Sequence, residues 1–382
     1  MMQIAFLTPE YPHAITGNSG GIGSSIRNLS TALTQKDIAV RILVYGQPKD
    51  LIFEEKGIKI QTIKNVKIKG FSRFLTQKKI ERIINELYTN REIDLVEAAD
   101  WTGITSFIRP EKCPIIIRLH GSDTYFCHLD NRPVKWINRL HEKRALENAN
   151  GHISVSRFTA NLTNELFNHK QAYTIIPNGI DSSFFSPAFI NHEFHAPVIL
   201  YFGTIIRKKG VLEIPGIFNE IIKKIPDCKL LLIGKDSADI LSGNSSTWQI
   251  MREKFNDIAI NNVEYKGVVS YENVRQYIIQ ADVCIFPSFA EALPVSWLEA
   301  MALEKAIVTS NIGWAEELID SGINGFMESP KSHMNFSARI IELLTNENLR
   351  LKIGYNARIK VQERFAAELI ADENIKFYET KC

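Results

Sequence analysis

The sequence predicts an α/β protein built as two successive doubly wound units, and three observations carry that expectation. Short β-branched runs alternate with longer amphipathic stretches from one end of the chain to the other, the pattern of parallel sheets covered by helices. The pattern runs its course once and restarts after Phe184 to Pro197, a stretch with two prolines and little periodicity. The chain has 382 residues, more than one core organises when a domain averages roughly 150.

In order, strands are expected at Gln3 to Leu7, Val40 to Tyr45, Leu95 to Ala98, Ile115 to Leu119, His152 to Val155 and Thr174 to Ile176, with helices between them. The second set is Val198 to Phe202, Lys229 to Ile233, Val263 to Lys266, Val283 to Phe286, Ala306 to Thr309 and Gly325 to Met327. The residues after Leu349 read as helix to the C-terminus. The domains are therefore placed at 1–188 and 189–365, with the boundary near residue 190 and a terminal helix over about 366–382.

Composition narrows the function classes. Hydrophobic residues at 45% and charged residues at 23% are the proportions of a globular protein, not of a disordered, collagen-like or coiled-coil chain. The net charge of +2 is too small for the whole surface to serve as a nucleic-acid footprint, so any anion site is local. The five cysteines are scattered and never spaced C-x-x-C, which signals neither a disulfide framework nor zinc and fits a reducing cytoplasm. The first apolar run, Ile4 to Leu7, stops at Thr8-Pro9-Glu10, and no stretch reaches about 18 apolar residues. The expectation is a cytoplasmic chain with no membrane span.

Open α/β sheets bind ligands outside the carboxyl ends of their strands, so the residues just after predicted strands are the ones to examine. Gly17-Asn-Ser-Gly20-Gly21-Ile-Gly23 follows the first strand and runs into a helix, where glycines admit a ligand and free amides face an anion. It is neither a dinucleotide fingerprint nor a Walker A sequence, and a flexible turn would look similar. After Val198 to Phe202 comes Gly203-Thr-Ile-Ile-Arg207-Lys208-Lys209-Gly210, whose cations suit a diphosphate as well as they suit water. The most informative stretch is Phe286-Pro-Ser-Phe-Ala-Glu291-Ala-Leu293-Pro294-Val295-Ser-Trp-Leu-Glu299. Pro294 suits the start of a helix, with the amides of Leu293 and Val295 turned to an anion. Glu299 has two acceptor oxygens, enough for the vicinal hydroxyls of a ribose, and its apolar neighbours would make an unpartnered charge costly. Two solvated glutamates are the plain alternative.

These residues carry a resemblance. Glu291-x7-Glu299 after Pro287-Ser288, the loop ending in Lys209-Gly210, Pro177-Asn-Gly-Ile-Asp181, Val155-Ser156, and Asn311-x-Gly313-x3-Glu317 before Gly322-x-Asn-Gly325 look like glycosyltransferase family 4. Members are retaining, GT-B fold enzymes, with two Rossmann-like domains facing across a cleft, and use nucleotide-sugar donors. The match is collinear over nearly the whole chain and strongest from 198 to 327. The resemblance implies that Glu291 lies against the donor sugar, Glu299 binds ribose, Arg207 and Lys209 bind the diphosphate, Gly21 sits beneath the phosphates, and the terminal helix crosses back onto the first domain. His120-Gly-Ser-Asp123 also resembles a family motif, implying His120 near the reacting sugar and Asp123 in a supporting or acceptor-side role; a strand-end histidine is otherwise more often only hydrogen-bonded.

The chain departs from the family pattern in three places. Thr204 stands where arginine is usual, so that role must pass to Arg207 or Lys208 or be missing. Ala292 and Trp314 stand where glycines are common, which suggests an altered donor-pocket or acceptor-side shape. The resulting expectation is a retaining hexose-type transfer from a nucleoside-diphosphate sugar to a hydroxyl of a glycan, lipid-linked or small-molecule acceptor. A sugar-nucleotide epimerase or phosphorylase of the same architecture, or a catalytically silent binding subunit, are the alternatives. No Asp-x-Asp pair occurs, so no cofactor or divalent metal is expected. Basic residues crowd 56–82 with Phe71, Phe74 and Leu75 interleaved and only Glu81 opposing, a stretch that fits either a peripheral contact with an anionic membrane or a solvated face.

Overall fold

The computed structural model describes residues 2–17, 19–187 and 196–382. The boundary expected near residue 190 lies outside the described residues. Chain contacts divide the molecule into Met1–Asp181 with Ala366–Cys382, and Ser182–Phe365.

The first unit holds eight strands: β1 (Gln3–Thr8), β2 (Ala39–Gln47), β3 (Leu51–Glu55), β4 (Ile58–Lys64), β5 (Leu95–Ala99), β6 (Ile115–Leu119), β7 (Gly151–Ser154) and β8 (Thr174–Ile175). Their spatial order is β3-β4-β2-β1-β5-β6-β7-β8, parallel throughout except for the antiparallel β3–β4 pair. The chain leaves β1 toward one side of the sheet and returns to β5 on the other, which makes a topological switch point there. Ile4, Phe6, Ile42, Ile60, Leu95 and Ile116 build the core on one face, Leu7, Leu43, Val96, Ile117 and Leu119 on the other. Burial on both faces is why these strands read as continuous apolar runs.

The β3–β4 hairpin is absent from the sequence expectation. Lys56 and Gly57 both have positive φ, 51° and 79°, the requirement of a tight two-residue hairpin turn. The signal was present as the Lys-Gly turn and the alternation Ile58-Lys-Ile60-Gln-Thr62, but the lysines were read as a basic patch. Part of that patch is answered within the fold. Lys59 sits opposite Glu54 across the hairpin, Lys79 pairs with Asp50 at 2.6 Å, and Lys78 pairs with Glu81 at 2.9 Å. Glu81 is therefore not the sole opposing carboxylate.

The C-terminal residues form two helices, Glu347–Arg364 and Ala367–Glu379, rather than one. The break comes at Ala366, whose extended backbone forms a bridge with Ile180. Pro177-Asn-Gly-Ile-Asp181 is the socket for this crossing: Ser25 donates to Asn178 at 2.7 Å, Asn28 to the Gly179 carbonyl at 3.0 Å, and the Ala367 amide to the Ile180 carbonyl at 2.9 Å. A buried polar network fixes the last helix on the sheet. Arg118 makes two bonds to Glu97 at 2.7 and 3.0 Å, Tyr378 donates to Glu97 at 2.7 Å, and Arg118 also bonds Asn374.

The second unit holds β9 (Val198–Phe202), β10 (Lys229–Ile233), β11 (Val263–Tyr265), β12 (Val283–Phe286), β13 (Ala306–Ser310) and β14 (Phe326–Glu328), all parallel in the order β11-β10-β9-β12-β13-β14. That is the doubly wound order with its switch point between β9 and β12. These two strands pair only at Val283–Ile199 and Cys284–Leu200, so the loops that follow them part at the carboxyl edge.

Candidate active site

The loop after β9 and the loop after β12 are fastened to each other. Arg207–Lys209 form a short 3-10 turn, and the Lys208 carbonyl accepts from the amides of Phe289 at 2.8 Å and Ala290 at 3.2 Å. Gly210 closes the turn at φ +68°, and a Cβ there would lie 1.7 Å from the Pro287 carbonyl oxygen, so the approach requires glycine. Lys209 then reaches across: its Nζ donates to Glu291 Oε1 at 2.5 Å, and Ser288 Oγ donates to the same oxygen at 3.0 Å. Two residues singled out 82 positions apart are thus brought into direct contact.

Arg207 is turned elsewhere. Its guanidinium makes paired bonds of 2.7 and 2.6 Å to Asp239, and those bonds hold the Asp239 carboxyl well below the usual carboxylate range. Ser242 adds its amide and hydroxyl to the same carboxylate. Asp239 was not singled out from the sequence, and nothing but its acidic character distinguished it. The assignment of Arg207 to a diphosphate therefore has to contend with an intramolecular carboxylate already in its fork, leaving Lys209 as the cation aligned with Glu291. Thr204 contributes its carbonyl, which accepts from the buried Tyr201 hydroxyl at 2.9 Å.

Pro294 is the N-cap of the helix Val295–Ala302, one position earlier than its expected place inside the first turn, and its own side chain makes no capping hydrogen bond. The two flanking residues, Leu293 and Val295, are buried. Glu299 lies inside the helix, 6% exposed, and burial pushes its carboxyl up to about 8 against a lowering hydrogen bond from Tyr271. Tyr271 is itself held by ring stacking on Phe184, with centroids 6.0 Å apart. Burial thus favours the protonated form of Glu299 at neutral pH, with Tyr271 as a donor to its charged form. Tyr271 is the partner missed from the sequence. Trp314 is wholly buried, so it fills interior volume rather than lining an open pocket.

In the first unit Gly21 is the first residue of the helix Gly21–Thr34, with open space where a Cβ would be. The amides of Gly20 and Gly23 both donate to Glu10 Oε1 at 3.0 Å, so this N-terminus already holds the chain's own carboxylate. Glu10 is another residue the sequence reading passed over. A phosphate beside Gly21 would have to share those amides with it.

His120 directly follows β6, and Gly121 turns the chain at φ +93°, where a Cβ would lie 2.6 Å from the Phe126 ring. The His120 amide donates to Asp100 Oδ1 at 2.9 Å. Burial, with the Arg118 guanidinium nearby, holds the imidazole down to about 3, so His120 is neutral across the working range. Burial likewise pushes Asp100 up to about 7. Asp123 opens the helix Asp123–Leu129 and accepts from Asn138 at 3.0 Å, while Glu142 caps that helix by accepting from the amides of Asp123 and Thr124 at 2.9 and 3.1 Å.

Two doubly wound units in one chain, the second with a cationic turn locked to a glutamate-bearing loop at its switch point, define the GT-B class. Residues 186–360 match the family described as Glycosyl transferases group 1, and residues 19–184 match Glycosyltransferase Family 4. The chain belongs to glycosyltransferase family 4 and is a glycosyltransferase. It is similar to the uncharacterized glycosyltransferase MJ1178 of Methanocaldococcus jannaschii, 26% identical over 390 residues that cover 99% of this chain and 98% of that one. It also resembles the capsular polysaccharide biosynthesis glycosyltransferase CapM of Staphylococcus aureus, 29% identical over 48% of this chain and 46% of the relative. Among solved structures, sucrose-phosphate synthase from Thermosynechococcus elongatus superposes with a TM-score of 0.81 at 20% identity, over 100% of this chain and 99% of that one. Anabaena Alr3699/HepE in complex with UDP and glucose gives 0.77 at 19% identity, over 99% and 100%. These likenesses establish the fold.

Proposed function

We propose that this chain transfers a hexose-type sugar from a nucleoside-diphosphate sugar to a hydroxyl of a glycan, lipid-linked or small-molecule acceptor, with retention at the anomeric carbon. The observation that carries the reading is the Lys209–Glu291 pair, a cation and a carboxylate held together at the β9–β12 switch point beside the N-terminus of the helix Val295–Ala302. The solved relative complexed with UDP-glucose supports the donor class. In this reading Lys209 and the amides at the start of Val295–Ala302 stabilise charge on the leaving diphosphate. Leu293 and Val295 contribute those amides, Glu299 accepts from the ribose hydroxyls, and Glu291 lies against the sugar. Arg207 is a secondary cation, available to the diphosphate only by releasing Asp239.

The bond from the anomeric carbon to the diphosphate breaks as the acceptor oxygen bonds to the same face, and the acceptor's proton passes to the leaving phosphate oxygen. His120, kept neutral, offers the sugar a hydrogen bond without adding charge, with Gly21 beneath the phosphates and Asp123 in a supporting or acceptor-side role. The test is the product: NMR of the glycoside formed by the purified chain should show the donor's anomeric configuration. An inverted product would overturn retention. Conversion of the donor with no acceptor present, yielding an isomerised nucleotide sugar, would favour an epimerase instead.

A further inference from the structure

Two segments of the first unit expose apolar side chains amid cations and contain no carboxylate of their own, though Lys79, Lys78 and Arg132 pair with Asp50, Glu81 and Asp130 beside them. Lys64 to Lys79 contains no Asp or Glu and exposes Ile68, Phe71 and Phe74, with Lys67 and Lys69 flanking Ile68. Asn131 to His141 likewise contains none and exposes Trp136 and Ile137 between Lys135 and Arg139, and Leu140 just after. Phe71 is 63% exposed and Trp136 74%, unusual for side chains of that size.

The fold brings the two segments together. They lead into the helices Ser72–Thr89 and Trp136–Asn148, which flank the residues Trp101–Phe107. The Phe107 ring lies 5.7 Å from Phe74 on one helix and 5.7 Å from His141 on the other, with Arg144 4.3 Å over its face. Arg73 donates to the carbonyls of Thr102 and Gly103. The first helix leaves β4 and the second leads into β7, both strands parallel to the rest of the sheet, so both helices begin at its carboxyl edge. That edge also carries His120 and Asp123.

We propose that this patch docks on the headgroup region of an anionic phospholipid bilayer. Aromatic and aliphatic side chains interleaved with lysine are what an interfacial surface needs: the apolar groups enter the headgroup–acyl boundary while the ammonium groups stay with the phosphates. A second copy fits less well, because a two-fold interface would bring the exposed Lys67, Lys69 and Lys135 of one copy against those of the other. Ile68, Ile137 and Leu140 have no ring to stack on a nucleobase, which favours acyl chains over a single-stranded nucleic acid. The inference narrows the basic stretch 56–82 to its acid-free part and adds the second helix. It does not rest on the transfer reading.

The test is flotation of the full chain with vesicles of phosphatidylcholine alone and of phosphatidylcholine with phosphatidylglycerol, at low and high salt and without donor. The wild type should float with the phosphatidylglycerol vesicles, weakly with the others, and less as salt rises. Lys67→Gln with Lys69→Gln should lower partitioning by about fivefold per lysine. Phe71→Ser with Trp136→Ser should bring binding close to background with unchanged thermal stability, since both side chains are on the surface. Equal binding to the two vesicle types, no binding by the wild type, or full binding by both double variants would overturn the proposal. So would a dimer in sedimentation velocity that the Phe71→Ser, Trp136→Ser variant dissociates.

Discussion

Glu299 shows most sharply what one side chain contributes. Its carboxyl, raised to about 8 by burial, carries a proton at neutral pH in the free protein, while ribose hydroxyls would donate to its charged form. Nucleotide binding should therefore release a proton, and affinity should climb as pH rises from about 6 toward 8, at up to about tenfold per unit, then level off. The sign for stability runs the other way. A carboxyl whose folded pKa lies above its unfolded value favours the folded state fully below about 4.5, and that contribution is lost as pH rises through about 8. Glu299→Gln should make the free protein more resistant to heat at pH 8, weaken nucleotide binding by about 1.5 to 3 kcal/mol, and flatten its pH profile. Calorimetry at three pH values checks all but the melting point. The burial of Glu299 was legible because its neighbours Trp297, Leu298, Ala300 and Met301 are apolar. Asp239, Glu10 and Tyr271 were not legible, since each acts through a partner tens of positions away or across a loop, and local sequence carries no trace of such pairings.

Among elements, the decisive feature is the fastening of one loop to another. Gly210→Ala would drive a Cβ into the Pro287 carbonyl and strain a left-handed backbone, which together should cost about 1 to 3 kcal/mol. Beyond lowering the melting temperature, it should pull Lys209 away from Glu291 and weaken nucleoside diphosphate more than nucleoside. Equal weakening of both ligands would mean that the loops are not registered by this contact. The strands of the parallel sheets were legible because burial on both faces leaves uninterrupted runs such as Ile115 to Leu119 and Val198 to Phe202. The β3–β4 hairpin was not, because among the named strands of the described residues it is the one antiparallel pair, with Leu51 and Ile52 exposed and Lys59 and Lys64 in its second strand. The break at Ala366 was hidden for a different reason. Neither Gly nor Pro marks it, and only pairing with Ile180 stops the helix.

At the scale of the whole molecule, the proposed transfer draws its donor contacts mainly from the second sheet and His120 and Asp123 from the first, with protein cations answering the diphosphate's charge. With no Asp-x-Asp pair in the sequence, transfer should persist in EDTA. Loss of transfer on chelation, restored by magnesium or manganese, would place a metal in the reaction. The fold class followed from the twice-repeated alternation of strand and helix, and the family from motifs lying after the strands, where backbone turns demand particular residues.

Titration calorimetry tests most directly whether Lys209, with its partner Glu291 and the nearby Glu299, forms a nucleoside-diphosphate site. The full chain would be titrated with UDP, GDP and ADP, with each parent nucleoside alongside, for the wild type and Lys209→Ala. The account predicts that at least one diphosphate binds far more tightly than its nucleoside, and that Lys209→Ala lowers that affinity by about 10- to 100-fold while leaving the nucleoside nearly unaffected. Failure of every diphosphate to bind, or a Lys209→Ala variant that binds as the wild type does, would contradict it.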